Sequence, residues 1–134
     1  MKMESDSADA PGFRLRFEQR PGYLLVEVRG RRGSPEIALA AFASIAAECT
    51  RLQARKLLVV DAAHGTPNSP QALAGIMRTL RESPLATVRI AYVVRDVENI
   101  PVFQHAELEG LDLGFNLRLF ASERDAEIWL LYSE

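Results

Sequence analysis

Near its start the chain alternates apolar and charged residues, a pattern typical of a strand with one face in water. Phe13, Leu15 and Phe17 alternate with charged neighbours. Pro21-Gly22 then separates this stretch from a second apolar run at residues 23–28. Because so short a connection joins antiparallel strands, we predict an N-terminal hairpin.

Helical and strand patterns alternate after the hairpin. Ser34-Pro35 and Ser69-Pro70 each supply a capping hydroxyl followed by a proline suited to the first helical position. We therefore predict helices from these serines to about Ala54 and to about Arg81. Between them, "KLLVVDA" is a short unbroken apolar run, which predicts a strand buried on both faces at the centre of a sheet.

The last third of the chain continues the alternation. The predicted elements are, in order, a strand in "TVRIAYVV", a helix over about Ile100 to Leu108, a loop "GLDLGFN", a strand "LRLF" and a final helix capped by Ser122, with Ile128, Trp129 and Tyr132 on one side. The whole order is β-β-α-β-α-β-α-β-α.

This order predicts an α/β fold: a mixed, mostly parallel central sheet of about five strands, opened by an antiparallel hairpin and covered by four helices. We expect one domain over residues 13–134, preceded by a disordered segment over residues 1–12. The sequence contains no internal repeat that would indicate a second domain.

Composition and charge narrow the function classes. The 134 residues carry a net charge of -2, with both signs scattered, so we expect no nucleic-acid partner. We predict no membrane span and no signal peptide, because the sequence lacks a long apolar run. The single cysteine, Cys49, is expected to be a buried thiol on a helix, which suits a cytoplasmic protein.

One local concentration of positive charge interrupts this balance. "RGRRG", residues 29–33, places three arginines between and beside two glycines after the second strand. It could hold a phosphate or form a solvated turn, and charge placement in general favours the turn.

The segment from Asp61 to Ser69 combines several residue types that chemistry uses. Asp61 ends the central strand, where open α/β sheets place ligands, and His64 could act as a general base. Ser69 could cap the helix or accept a phosphate at its positive end. Although Asp61, His64 and Ser69 could be written as a triad, no nucleophile elbow surrounds the serine, and we predict no enzyme activity.

Metal and cofactor sites lack support in the sequence. The two histidines, His64 and His105, lie on different segments with no ligand-spaced Cys or His near either, and His105 with Glu109 makes only a weak pair. No phosphate-binding glycine motif occurs. We predict neither a metal nor a cofactor.

The third helix and the loop after it contain more apolar groups than packing on a sheet requires. Ile100, Val102, Phe103 and Phe115 are the main examples. They form either core or a surface for a protein partner, a second copy, or a lipid or small apolar ligand.

Two stretches carry a resemblance to a known family. "KLLVVDA" before a serine-started helix, together with the closing "GFNLRLFASERDAEIWL", resembles the SpoIIAA-like branch of the STAS family. This family includes sulfate-transporter tail domains and bacterial anti-sigma-factor antagonists. The resemblance covers about residues 13–132 and implies the same α/β fold.

The resemblance also implies a regulatory site at the second helix. Family antagonists carry an Asp-Ser pair there, and a partner kinase phosphorylates the serine to release the partner. The matching stretch is Asn68-Ser69-Pro70, which keeps the serine and replaces the acid by an amide. A working switch and a scaffold that has lost it both remain open.

Two hypotheses follow. The first is a non-enzymatic STAS-like regulatory module that binds a protein, of kinase type or a second copy of itself, through Asp61, His64, Asn68 and Ser69. The second is a carrier that binds a lipid or small apolar or acidic molecule between the sheet and the third helix.

Overall fold

The computed structural model describes residues 7–10 and 12–133 of the chain. The strands are β1 (Ser7–Ala10), β2 (Phe13–Arg20), β3 (Tyr23–Gly30), β4 (Lys56–Asp61), β5 (Arg89–Val94) and β6 (Asn116–Phe120). The helices are α1 (Pro35–Leu52), α2 (Pro70–Leu80), α3 (Ile100–Asp112) and α4 (Glu123–Tyr132), and short 3-10 turns precede β5 and α3.

The strands form a mixed sheet in the order β1-β2-β3-β4-β5-β6. The pairs β1–β2 and β2–β3 are antiparallel, and the pairs from β3 to β6 are parallel. The predicted fold class is therefore confirmed, including the hairpin, in which Arg20 pairs with Tyr23.

Strand β1 was not predicted from the sequence. Residues 1–12 were expected to be disordered, but Ser7–Ala10 pair antiparallel with the first half of β2. Their sequence, SADA, is short and has only alanine at its apolar positions, which is too weak a pattern to predict a strand. Backbone pairing with β2 supplies the order instead. Residues 1–6 and 11 of the predicted disordered segment lie outside the described residues. Gly12 is described and forms the turn into β2.

The helices cover the two faces of the sheet unequally. Helices α1, α2 and α3 pack on one face and enclose the larger core, which includes Leu15, Ile45 and Val59. Helix α4 packs alone on the other face, over Leu58 and Val93.

None of the helices described is both long and apolar enough to cross a bilayer.

The two serine-proline starts act as predicted. The Ser34 side chain accepts a hydrogen bond from the Ile37 amide, and the Ser69 side chain accepts one from the Ala72 amide at 3.1 Å. Both helices begin at the following proline. The inward positions predicted for α2 are confirmed, since all four are buried: Leu73, Ile76, Met77 and Leu80.

Cys49 lies on the inner face of α1 with 2% of its surface exposed. Burial raises the pKa of its thiol to about 11, because the surrounding core cannot solvate a thiolate. The expectation of a small buried thiol is confirmed.

Helix α3 is longer than predicted. It was expected to end near Leu108, with Gly110 opening a loop, but it continues to Asp112. Gly110 is buried, and a Cβ at this position would come within 3.1 Å of the Met77 side chain. The glycine therefore allows α3 to approach α2 closely, and Gly114, with a φ of +92°, makes the turn.

The inner face of α4 also differs from the prediction. Ile128 and Tyr132 were expected on a packed side, but both are exposed, while Ala126 and Leu130 are completely buried. The small Ala126 allows the helix to lie close to the sheet.

We predict that Leu130→Ala lowers the free energy of unfolding by roughly 2–5 kcal/mol, because it opens a cavity beneath the only helix described on that face. Ile128→Ala, two residues away in the same helix, should change it little, since this side chain is 47% exposed. Urea denaturation of both variants measures the difference. Equal losses would show that α4 is not packed as described.

Candidate functional site

A buried ion pair lies at the edge of the sheet where β3 and β4 end. Asp61 is the last residue of β4, and Arg32 follows β3 by two residues. An Arg32 Nη donates to Asp61 Oδ1 at 3.0 Å, and the two side chains are only 6% and 4% exposed. Parallel strands bring their carboxyl ends to one edge, so the pairing of β3 with β4 places these residues together.

The Asp61 carboxylate is engaged on both oxygens. Oδ1 also accepts from the Ala63 amide at 3.1 Å, and Oδ2 accepts from the Tyr92 hydroxyl at 2.7 Å. These contacts satisfy a charge whose burial would otherwise be costly. Asp61 is therefore held as a structural anion.

Arg32 fixes the segment that follows Asp61. Its second guanidinium nitrogen donates to the carbonyl oxygens of Ala63 and Gly65, both at 3.0 Å. Its backbone amide donates to the His64 carbonyl, and the His64 amide donates to the Gly30 carbonyl, both at 2.9 Å. The base of the loop is thus tied to the end of β3 by side-chain and main-chain bonds.

The tip of this loop is open to solvent. His64, Gly65 and Thr66 are exposed, and so is Ser69, whose hydroxyl caps α2. Within residues 12–133, no side-chain hydrogen bond joins His64 to Ser69 or Asp61. Of the four residues predicted to act together, Asp61 is buried, Asn68 is half-buried, and His64 and Ser69 are exposed.

A partly open cavity lies beside the ion pair on the face covered by α1, α2 and α3. Its volume is about 100 Å³, and its walls are mainly apolar side chains of the larger core. The polar groups that line it include Arg32, Asp61, Asn68 and Tyr92. The loop and the cavity consequently share the Arg32–Asp61 pair.

The apolar residues predicted as a ligand or partner surface do not form an exposed patch. Phe103 and Phe115 are buried and line the cavity, while Ile100 and Val102 are half-buried against the core. The large apolar side chains of α3 that are exposed are instead Leu108 and Leu111. Apolar excess in this region thus reflects mainly core packing.

Arg32 is the site residue that the sequence did not reveal. The "RGRRG" stretch was expected to be a solvated turn or a phosphate site, yet Arg32 points inward while Arg31 is exposed. Asp61 gave the available signal, since a carboxylate ending a buried strand requires a cation or several donors. Tyr92, within a run predicted as a strand, gave no such signal, and Asn68 was predicted as a contact residue of the loop but not as a residue of the cavity.

The surroundings of the Tyr92 phenol favour its protonated form. Desolvation raises its pKa well above the ordinary value of 10.0, and the nearby Asp61 charge and hydrogen bond raise it further. The Tyr92 ring also packs against Phe103, with their centroids 5.9 Å apart. Tyr92 therefore remains a neutral donor to Asp61 at neutral pH.

Comparison with known proteins adds no family assignment. No protein-family model matches the chain, and no curated protein matches it significantly.

We predict that Arg32→Met destabilises the fold by roughly 3–5 kcal/mol, because it leaves the Asp61 charge buried without its cation. Arg29→Met is the matched control: the Arg29 side chain is 59% exposed where it pairs with Glu27, and its replacement should lower the free energy of unfolding by much less. Chemical denaturation compares the two. A loss no larger for Arg32 than for Arg29 would contradict a structural role for the buried pair.

We predict that stability falls as pH rises above about 10, because Tyr92 holds its proton more tightly in the folded chain than in the unfolded one. The contribution of Tyr92 to the free energy of unfolding is present in full below about pH 10, and it is lost at higher pH as this tyrosine ionises in the unfolded state. Urea midpoints at about pH 8 and about pH 10.5 should differ less in Tyr92→Phe than in the wild type. Cys49 titrates in both proteins and cancels, so identical differences would refute this role of Tyr92.

Proposed function

We propose that the chain is a non-enzymatic, STAS-like regulatory module that binds a protein partner through the loop from Asp61 to Ser69 and the start of α2. The observation that carries the proposal is the combination of an exposed loop tip with a base fixed by Arg32. A surface fixed in this way loses little conformational entropy on binding. From β2 onward the elements follow the order on which the resemblance rests, which supports the same assignment.

A contact role suits the loop better than a catalytic one. Both oxygens of Asp61 are occupied by protein donors, so the carboxylate is not positioned to orient His64. The Ser69 hydroxyl accepts a bond from the Ala72 amide, and no hydrogen bond joins it to a basic side chain among the described residues. Nucleophilic catalysis requires those missing contacts.

Ser69 is the point at which binding could be regulated. A phosphate on its exposed hydroxyl would lie at the N-terminus of α2, where the helix dipole and free amides favour negative charge. The phosphate would then change the charge of the contact surface without unfolding the helix. We assign the module to the cytoplasm, whose reducing conditions suit the free, buried Cys49.

We predict that Ser69→Asp separates partner binding from folding. Aspartate caps helices as well as serine does, so the variant should retain the wild-type thermal midpoint. Its negative charge should lower the recovery of the partner by about tenfold or more. Quantitative cross-linking and mass spectrometry of the chain in its native cells measure this recovery, and peptide mapping of the wild type detects phosphate on Ser69.

Ser122→Asp supplies the matched control. Ser122 caps α4 with the same side-chain bond to a backbone amide, at 3.1 Å, but α4 lies on the opposite face of the sheet. Partner recovery should remain at the wild-type level in this variant. Equal recovery with Ser69→Asp and the wild type, or equal loss in both variants, would refute the loop as the contact surface.

A further inference from the structure

The cavity beside the Arg32–Asp61 pair has the features of a small-molecule site, independently of the proposed protein contact. Its volume of about 100 Å³ is of the same order as the roughly 150 Å³ apolar cavity that is known to admit benzene. Met77 and leucine side chains in its wall can adjust to a guest of slightly larger size. A space of this volume suits one ring or a short branched chain better than a long acyl chain.

Polar and aromatic groups meet at one part of the cavity wall. The Phe103 ring lies against the Tyr92 ring, and the Arg32 guanidinium is 5.6 Å from the Phe103 centroid. The Tyr92 hydroxyl donates to Asp61, which leaves its own oxygen lone pairs able to accept. A guest with a hydroxyl group could hydrogen-bond here while its apolar body contacts the core.

Asn68 adds an unused polar group to this region. Its half-buried side chain lines the cavity, and no hydrogen bond to it occurs within residues 12–133. An amide offers two donors and an acceptor, so it can match a hydroxyl in either role. The amide atoms are not buried from water, so a ligand hydroxyl would replace a hydrating water at Asn68.

Charge selects among possible guests. The carboxylates of Asp61 and Glu107 line the cavity, and Arg32 is already bonded to Asp61 and two carbonyls. An anion would therefore enter without a free cation to pair with it. Asp61 is neutralised by Arg32, whereas Glu107 keeps its charge, because the Leu119 amide that donates to it at 3.0 Å is neutral. Moving an ammonium group into mainly apolar walls is nevertheless costly when a single carboxylate is its partner.

We propose that this cavity binds a small neutral alcohol or phenol, with the apolar body between the sheet and α3 and the hydroxyl on the Tyr92 oxygen or the Asn68 amide. The proposed ligand is thus a neutral molecule with a single ring, whereas the carrier hypothesis from the sequence named a lipid or a small apolar or acidic molecule. The site places the ligand inside the larger core rather than on the surface of α3.

The test titrates the full chain with phenol, benzene, benzoate and benzylamine and follows the methyl groups of the cavity wall by NMR. Phenol should shift these signals and bind about fivefold more tightly than benzene, which lacks the hydrogen bond. It should bind at least about tenfold more tightly than benzoate or benzylamine.

A variant pair tests the location. Ala106→Leu extends a side chain of α3 into the cavity and should weaken phenol binding by about tenfold or more. Ala47→Leu makes the same change on an exposed position of α1 and should bind as the wild type does. If Ala106→Leu does not fold, the ligand series on the wild type decides alone.

Three results would overturn the assignment. The first is the absence of any methyl shift with phenol up to its solubility limit. The second is tighter binding of benzoate or benzylamine than of phenol. The third is a folded Ala106→Leu variant that retains wild-type affinity. None of them bears on partner binding by Ser69→Asp, so the two proposals fail separately.

Discussion

Asp61 and Arg32 meet almost out of contact with water, at the edge of the sheet where the central strand ends. An isolated carboxylate at this depth would be strongly unfavourable, and its need for donors fixes the positions of neighbouring groups. Arg32 is drawn inward from the chain after β3, and its second nitrogen holds the carbonyls of the loop. The conformation of that loop and the polar lining of the cavity therefore both depend on one ion pair.

Features that depend on residue spacing within one helix or strand were predicted from the sequence, whereas contacts between distant segments were not. The cap at Ser69 and the inward residues of α2 follow from spacing within a single helix, so the sequence was sufficient. The Arg32–Asp61 pair joins residues 29 positions apart, and charge alone does not show which of three arginines turns inward. Gly110 was misread for the same reason, because its role depends on Met77 in another helix.

The free edge of the sheet at β6 is partly closed by a side chain. Edge strands expose amides that can pair with another chain, which is a hazard for aggregation. Glu107, on α3, accepts the Leu119 amide at 3.0 Å and occupies one of these donors. Glu107 also lines the cavity, so one residue both occupies a free amide at the sheet edge and adds a polar side chain to the cavity wall.

Trp129 lies on the smaller of the two cores, with the Arg89 guanidinium 4.0 Å from its ring centroid and bonded to its carbonyl at 2.9 Å. It is the only tryptophan of the chain, whereas the aromatic pair of the larger core consists of Tyr92 and Phe103. Indole emission is sensitive to a cation above the ring and to contact with water. The molecule consequently carries an optical reporter for the docking of α4, separate from events on the opposite face of the sheet.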